Sequence, residues 1–281
     1  MREIHATKII DIVSKLCQEA NYNLGEDVIQ ALKKACESET KPIARDVLQQ
    51  LIDNASLAKS ENIPMCQDCG VAVVFVYVGQ DIHVVGGDIT KAVNEGVKKG
   101  YNEGYLRKSM VKNPIIERIN TEDNTPAVIH YRIIPGDKLK IIFTPKGAGS
   151  ENMSSLKMMK PADGVEGIKK FVLQKVSNAG PNPCPPIVLG IGIGGNFEKA
   201  AILAKESLLR PINQHNPDPK IASLEKEILN EVNLLDIGPA GFGGKTTALA
   251  VNIETYPCHI GSLPVALNIN CHAARHKEVI I

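Results

Sequence analysis

Tryptophan is absent from this chain, and aromatic residues make up only 4% of its 281 positions. The core must therefore rest on Ile, Leu, Val and Ala. Neither sign of charge is in excess, because 32 Lys and Arg face 31 Asp and Glu and leave a net +1. No bulk field recruits nucleic acid or a membrane surface, although a locally placed Arg or Lys can still hold a small anion. No apolar run approaches the roughly 18 residues of a membrane span. Met1-Arg2-Glu3-Ile4-His5 does not open like a signal peptide, so the expected location is cytoplasmic. An even cysteine count is missing too: there are seven, Cys17, Cys36, Cys66, Cys69, Cys184, Cys258 and Cys271. An odd number without an export signal argues against a disulfide framework and leaves thiols available for metal.

What is present is ordinary for a globular protein, with 43% hydrophobic and 22% charged residues. The length allows one large domain or two small ones. Residues 3–59 carry apolar side chains at helical spacing, as in Ile9, Ile10, Val13 and Leu16. After the loop Ile63-Pro-Met-Cys-Gln-Asp-Cys-Gly70 comes Val71–Val78, too continuously apolar for an exposed strand. Helices are expected over 88–105, 162–178, 197–209 and 219–233. Strands are expected over 126–135 and 138–144, joined by the turn Pro135-Gly-Asp137, and over 187–193. Two more surround Pro257–Pro264. With no internal repeat and no convincing linker, the reading is one domain, 1–281. Its fold class is α+β: a helical N-terminal layer packed beside a mixed β-sheet with flanking helices.

Cys66, Cys184 and Cys271 share a setting. Each lies in a loop beside an expected strand, with Pro, Asn or Gln adjacent: Pro64-Met-Cys66-Gln67, Asn182-Pro-Cys184-Pro185, Asn268-Ile-Asn-Cys271. Their wide separation is useless for a local metal knuckle but suits three loops that meet around a cluster. From the residues alone, cluster ligands and ordinary small apolar cysteines both stay open. Cys17 and Cys36, inside helical patterns, are expected to be structural.

Together, Pro64-Met-Cys-Gln-Asp-Cys-Gly70, Gly149-Ser-Glu-Asn-Met153, Pro183-Cys-Pro-Pro186, Gly192-Ile-Gly-Gly195 and Asn270-Cys-His-Ala-Ala-Arg-His276 resemble the class I iron–sulfur fumarate hydratases and L-tartrate dehydratases. The similarity is to the alpha subunit or N-terminal half. The resemblance implies a hydro-lyase, with fumarate/malate as the first substrate pair and tartrate/oxaloacetate the second. It implies Cys66, Cys184 and Cys271 as ligands of a [4Fe-4S] cluster with one open iron. It makes Gln67 and Asp68 the substrate-contacting amide and acidic catalytic group, Arg107 a carboxylate clamp, Gly149 part of a backbone contact to substrate, and His259 a catalytic residue lining the site. Cys69 stands where many relatives have Thr, so its CxxC with Cys66 is incidental. Single-chain relatives continue past the point matching Cys271 into a second domain. A separate beta subunit is therefore expected to complete the site, in an assembly of two alpha and two beta subunits or around an alpha dimer.

The chemistry agrees with these roles. Removing water from a 2-hydroxy dicarboxylate needs a base for a weakly acidic C–H and help for hydroxide as leaving group. Three thiolates leave one iron of a cubane open, whereas four would make it an electron carrier. The alternative from another class is a structural zinc or protein-interaction module using the Cys66/Cys69 and Cys258/Cys271 region. Gly190-Ile-Gly-Ile-Gly-Gly195 fits a dinucleotide fingerprint, but the second strand that should end in an acidic residue is missing. Pro239–Thr246 looks like a phosphate loop but begins with Pro and is followed by a strand. Neither is read as a nucleotide site.

Overall fold

The computed structural model describes all 281 residues. In chain order the elements are β1 (Arg2–His5), α1 (Ala6–Tyr22), α2 (Glu26–Ser38), α3 (Pro42–Glu61), β2 (Val71–Gly79), β3 (Ile82–Val85), α4 (Ile89–Glu103), β4 (Val128–Ile134) and β5 (Leu139–Lys146). Then follow α5 (Ala148–Glu151), β6 (Ser155–Met159), α6 (Gly164–Ala179), β7 (Ile187–Gly194), α7 (Phe197–Ser207), α8 (Pro219–Asn233), β8 (Ala248–Tyr256), β9 (Leu263–Asn270) and β10 (Lys277–Ile280). No helix is long and apolar enough to cross a membrane. The α+β class is as expected. The chain packs as two compact units, Met1–Leu24 with Asn54–Ala148 and Arg275–Ile281, and Gly25–Asp53 with Gly149–Ala274. The N-terminal helices are thus shared out, α1 to the first unit and α2 to the second.

In the first unit the sheet order is β10-β5-β2-β4. β2 takes a central place because its residues Ala72–Val76 are all buried. A strand with two dry faces needs its backbone groups paired along both edges. It pairs parallel with β4 and antiparallel with β5. The turn Pro135-Gly-Asp137 therefore joins two strands that do not pair with each other. β4, mostly half-buried or exposed, falls to the edge. α1 and α4 present Ile9, Val13, Leu16, Val93, Val97 and Tyr101 to Val74, Val76, Ile141 and Phe143. Asp88 caps α4, accepting from Lys91 N–H at 2.8 Å, which is why that helix begins where the sequence places it.

The second unit repeats the plan with different residues. Its order is β6-β9-β7-β8, with β7 central, β8 parallel to it and β9 antiparallel. Here too the consecutive strands β8 and β9 are separated by the central one. No repeat is visible in the sequence, because the same layering needs only similar burial at equivalent positions. Gly190 and Gly192 lie against the carbonyls of Ala204 and Ala200 on α7, where a Cβ would collide. Close helix approach thus accounts for the glycines that mimic a dinucleotide fingerprint. In both units the central strand starts beside the end of its antiparallel neighbour. Val71 pairs with Lys146, and Val188 with Asn270.

Candidate active site

The start of β2 and the end of β5 bring together most of the first unit's expected site residues. Cys66 is partly exposed, and its sulfur accepts the backbone N–H of Asp68 at 3.4 Å. The Asp68 carboxylate closes its own loop, Oδ1 accepting from Gly70 N–H at 3.0 Å, while Oδ2 accepts from Ala148 N–H at 2.8 Å. Asp68 is thereby tied to the Gly147–Ala148 segment that leaves β5. Gln67 is exposed beside it. Arg107 lies beyond the end of α4 with its side chain exposed, and its backbone N–H reaches Cys69 Sγ at 3.2 Å.

Several supporting residues escaped the sequence reading. Arg275, 4% exposed, donates from Nη2 to the carbonyl of Asp68 at 2.9 Å and to Asn21 Oδ1 at 3.2 Å. Tyr101 donates to the carbonyl of Cys69 at 2.6 Å, and Asn124 to that of Gly70 at 3.1 Å. Burial drives the pKa of Tyr101 well above its ordinary value, with nearby Cys17 adding to the shift, so it stays a hydroxyl donor. The available signal was the position of Arg275 four residues after Cys271. Nothing local marks Tyr101 or Asn124.

In the second unit Cys184 and Cys271 flank the corresponding end of the sheet, before β7 and after β9. The backbone N–H and the ring Nδ1 of His272 approach the carbonyl of Cys184 at 3.3 and 3.2 Å. Cys184 is exposed and adopts φ +56°, a left-handed conformation costly for a residue with a Cβ and concentrated at functional sites. Gly149 is adjacent: a Cβ there would lie 3.4 Å from the carbonyl of Asn182. Glu151 anchors this turn through Lys205 at 2.6 Å and Asn268 at 2.8 Å. The loop of Cys184 leans on the glycine-rich turn after Gly238. Ala240 N–H donates to Pro185 O at 2.8 Å, and Gly241 (φ +85°) leaves room for Pro181, whose Cβ would be 2.5 Å from an added methyl.

That turn is held by a buried carboxylate. Glu39 Oε1 accepts from the N–H groups of Thr40 and Lys41, and Oε2 from that of Lys245 at 2.7 Å. Burial pushes its pKa up, but the Lys41, Lys245 and Thr40 N–H groups together bring it below the ordinary value. A group with a depressed folded-state pKa contributes stability above its unfolded value, about 4.3, and loses that contribution as pH falls through the folded one. Glu39→Gln should therefore cost on the order of 1–3 kcal/mol at neutral pH. The deficit should shrink below about pH 4, as read from urea midpoints across pH.

His259 is not brought to this end. It sits in the exposed β8–β9 connection, its Nδ1 accepting from Gly261 N–H at 3.1 Å. Gly194 of β7 pairs with Tyr256 there, so the length of β7, roughly 20 Å at ~3.3 Å per residue, separates it from Cys184 and Cys271. Gly192–Gly195 shares that far end.

None of the seven cysteines is in a disulfide. Cys17 and Cys69 are buried, and desolvation raises the pKa of both thiols, which disfavours the thiolate a metal needs. Cys66, Cys184 and Cys271 are all at least partly exposed. No three His, Cys, Asp or Glu side chains gather around a point that one metal ion could occupy, so the zinc-module reading gains no support. A cubane spreads its thiolates wider than a single ion does. An iron–sulfur cluster calls for soft thiolate donors. Three accessible loop thiols, one already accepting a backbone N–H, fit that donor chemistry.

Over residues 10–280 the chain matches the family described as fumarate hydratase (Fumerase). The chain belongs to the fumarate hydratase family. That membership makes it a hydro-lyase chain. Among its relatives, a protein of Methanocaldococcus jannaschii is 46% identical over 274 residues, 95% of each chain, and carries the provisional name L(+)-tartrate dehydratase subunit alpha. The L(+)-tartrate dehydratase subunit alpha of Escherichia coli K12 is 31% identical over 278 residues, covering 98% of this chain and 91% of the relative. Within the fumarate hydratase family, then, the relatives are named as one subunit of a larger enzyme.

Proposed function

We propose that this chain is the cluster-bearing alpha subunit of a [4Fe-4S] hydro-lyase that removes water from, or adds it to, a small dicarboxylate. The observation that carries the reading is positional. In a chain of the fumarate hydratase family, Cys66 and Cys184 precede the central strands of two equally built sheets, and Cys271 follows the antiparallel neighbour of the second. A cluster held by these three thiolates supplies a Lewis-acidic iron for a substrate hydroxyl and carboxylate.

The chain's own groups do the rest. Arg107 offers a planar guanidinium to a substrate carboxylate. Gln67 and the backbone at Gly149 add neutral hydrogen bonds that fix orientation. Asp68, oriented through both oxygens, passes a proton to the departing hydroxyl, or takes one from water in the hydration direction. The second carboxylate and the C–H proton require a further cation and a base, which a separate beta subunit contributes. His259, in the β8–β9 connection at the far end of its sheet, is given no step in this scheme. The names of the relatives favour tartrate; fumarate/malate is the other pair to assay.

The test is anaerobic purification with the beta subunit, followed by iron and sulfide analysis and turnover of L-tartrate, malate and fumarate. A brown protein active on at least one of them is expected. A colourless complex without iron, inactive on all three after reconstitution, would refute the reading.

A further inference from the structure

The roles just proposed leave one buried group at the site without work. Cys69 follows Cys66 by three residues and is 1% exposed. Its sulfur meets two backbone groups. The N–H of Arg107 donates to it at 3.2 Å, and its own S–H donates to the carbonyl of Cys66 at 3.7 Å. All three residues belong to the first unit. Resting on the proposed roles of Cys66 and Arg107, we infer that Cys69 is a positioning residue. It couples the backbone of the carboxylate clamp to the loop of the cluster ligand and so sets the distance between them.

The need for such a coupling follows from the local chain. α4 ends at Glu103, and β4 begins at Val128, so Arg107 has neither a helix nor a ladder to hold it. Tyr105 is left-handed at φ +51°, and Leu106 N–H bonds to Tyr101 O at 3.0 Å. The next N–H is that of Arg107, and Cys69 takes it. Further along, Ser109 N–H donates to Asn124 Oδ1 at 2.8 Å, and Asn124 in turn bonds the carbonyl of Gly70. The segment carrying Arg107 is thus sewn to the Cys66–Gly70 loop at two points, and Cys69 is the nearer to both functional side chains. A long guanidinium arm amplifies any backbone shift at its root, and misplacement by about 1 Å can cost orders of magnitude in rate.

Only a side chain that both accepts and donates at this short reach can make the two bonds. A serine hydroxyl can; alanine and valine cannot. This separates positioning from a redox or metal-binding dithiol with Cys66, which serine would abolish.

The experiment compares wild type, Cys69→Ser and Cys69→Ala in the anaerobically purified complex with the beta subunit. It reads KM and kcat per bound cluster, iron content after air exposure, and amide hydrogen exchange at Arg107. Cys69→Ala should raise KM about tenfold, the factor of roughly one hydrogen bond. It should also speed iron loss and deprotect the Arg107 amide. Cys69→Ser should restore all three towards wild type. If alanine does not fold, Cys69→Val makes the same comparison. A merely structural cysteine would lower Tm but leave KM and Arg107 exchange within about twofold of wild type, and that result overturns the inference. So does a serine variant as impaired as alanine. Failure of the functional reading looks different: the wild-type complex itself lacks iron and turnover, while exchange at Arg107 still decides whether Cys69 holds it.

Discussion

Replacing Cys184 with serine should strip the assembled enzyme of the proposed cluster and of all turnover, while Cys36→Ser should leave both unchanged. The two cysteines differ in kind. Cys184 is exposed in a proline-rich loop, held in a left-handed conformation, with its carbonyl met by His272. Cys36 belongs to α2, and its thiol donates to the carbonyl of Arg45 at 3.7 Å. Serine at 184 keeps the size of the side chain but replaces a soft thiolate with a hydroxyl that iron–sulfur clusters do not favour. The fold has no reason to suffer, since Cys184 packs into neither core. Iron and sulfide per chain, with circular dichroism as the control for folding, make the comparison. Equal cluster content in the two variants refutes the ligand assignment, and loss from both points to general damage rather than ligation.

The largest effect on stability is expected at Glu225. This carboxylate is 1% exposed and collects the loop between α7 and α8 against β8. Oε1 accepts from Arg210 Nη2 at 2.5 Å and from Ile253 N–H at 2.8 Å, and Oε2 from Asn216 N–H at 3.0 Å. Arg210 is itself largely buried, with Nε and Nη1 lacking hydrogen-bond partners and Glu254 3.6 Å from Nε. Glu225→Ala would leave this guanidinium in the interior without its principal counter-ion. Breaking one side of a buried pair costs about 3–5 kcal/mol, whereas replacing both sides with apolar groups can be nearly neutral. The expected result is therefore a loss of that size in urea titrations of Glu225→Ala, with substantial recovery when Arg210→Leu is added. If the single variant loses less than about 1 kcal/mol, the pair is no more than a surface-type bridge. Nothing here touches the proposed site, so KM should not move.

Much of this protein was legible in its sequence. The helices expected over 88–105 and 219–233 correspond to α4 (Ile89–Glu103) and α8 (Pro219–Asn233). The continuous apolar run of β2 announced a buried strand. Motifs short enough to survive in linear order pointed to the fumarate hydratase family, and the roles proposed for the three loop cysteines, Gln67, Asp68 and Arg107 rest on those same motifs.

Strand order was not legible: the turns after β4 and β8 suggest simple neighbours, yet β2 and β7 lie between the joined strands. Nor was the repetition of one topology in both units, or the placing of His259 at the far end of its sheet. The same holds for the support of Asp68 by Arg275 and the burial of Glu225 against Arg210. Periodicity, capping and motif spacing are properties of neighbours along the chain, so the sequence alone determines elements and chemistry. Which strand wins the middle of a sheet, and which charge is sealed inside, depends on competition among distant segments for buried surface and backbone partners. That competition is decided only when the chain closes on itself.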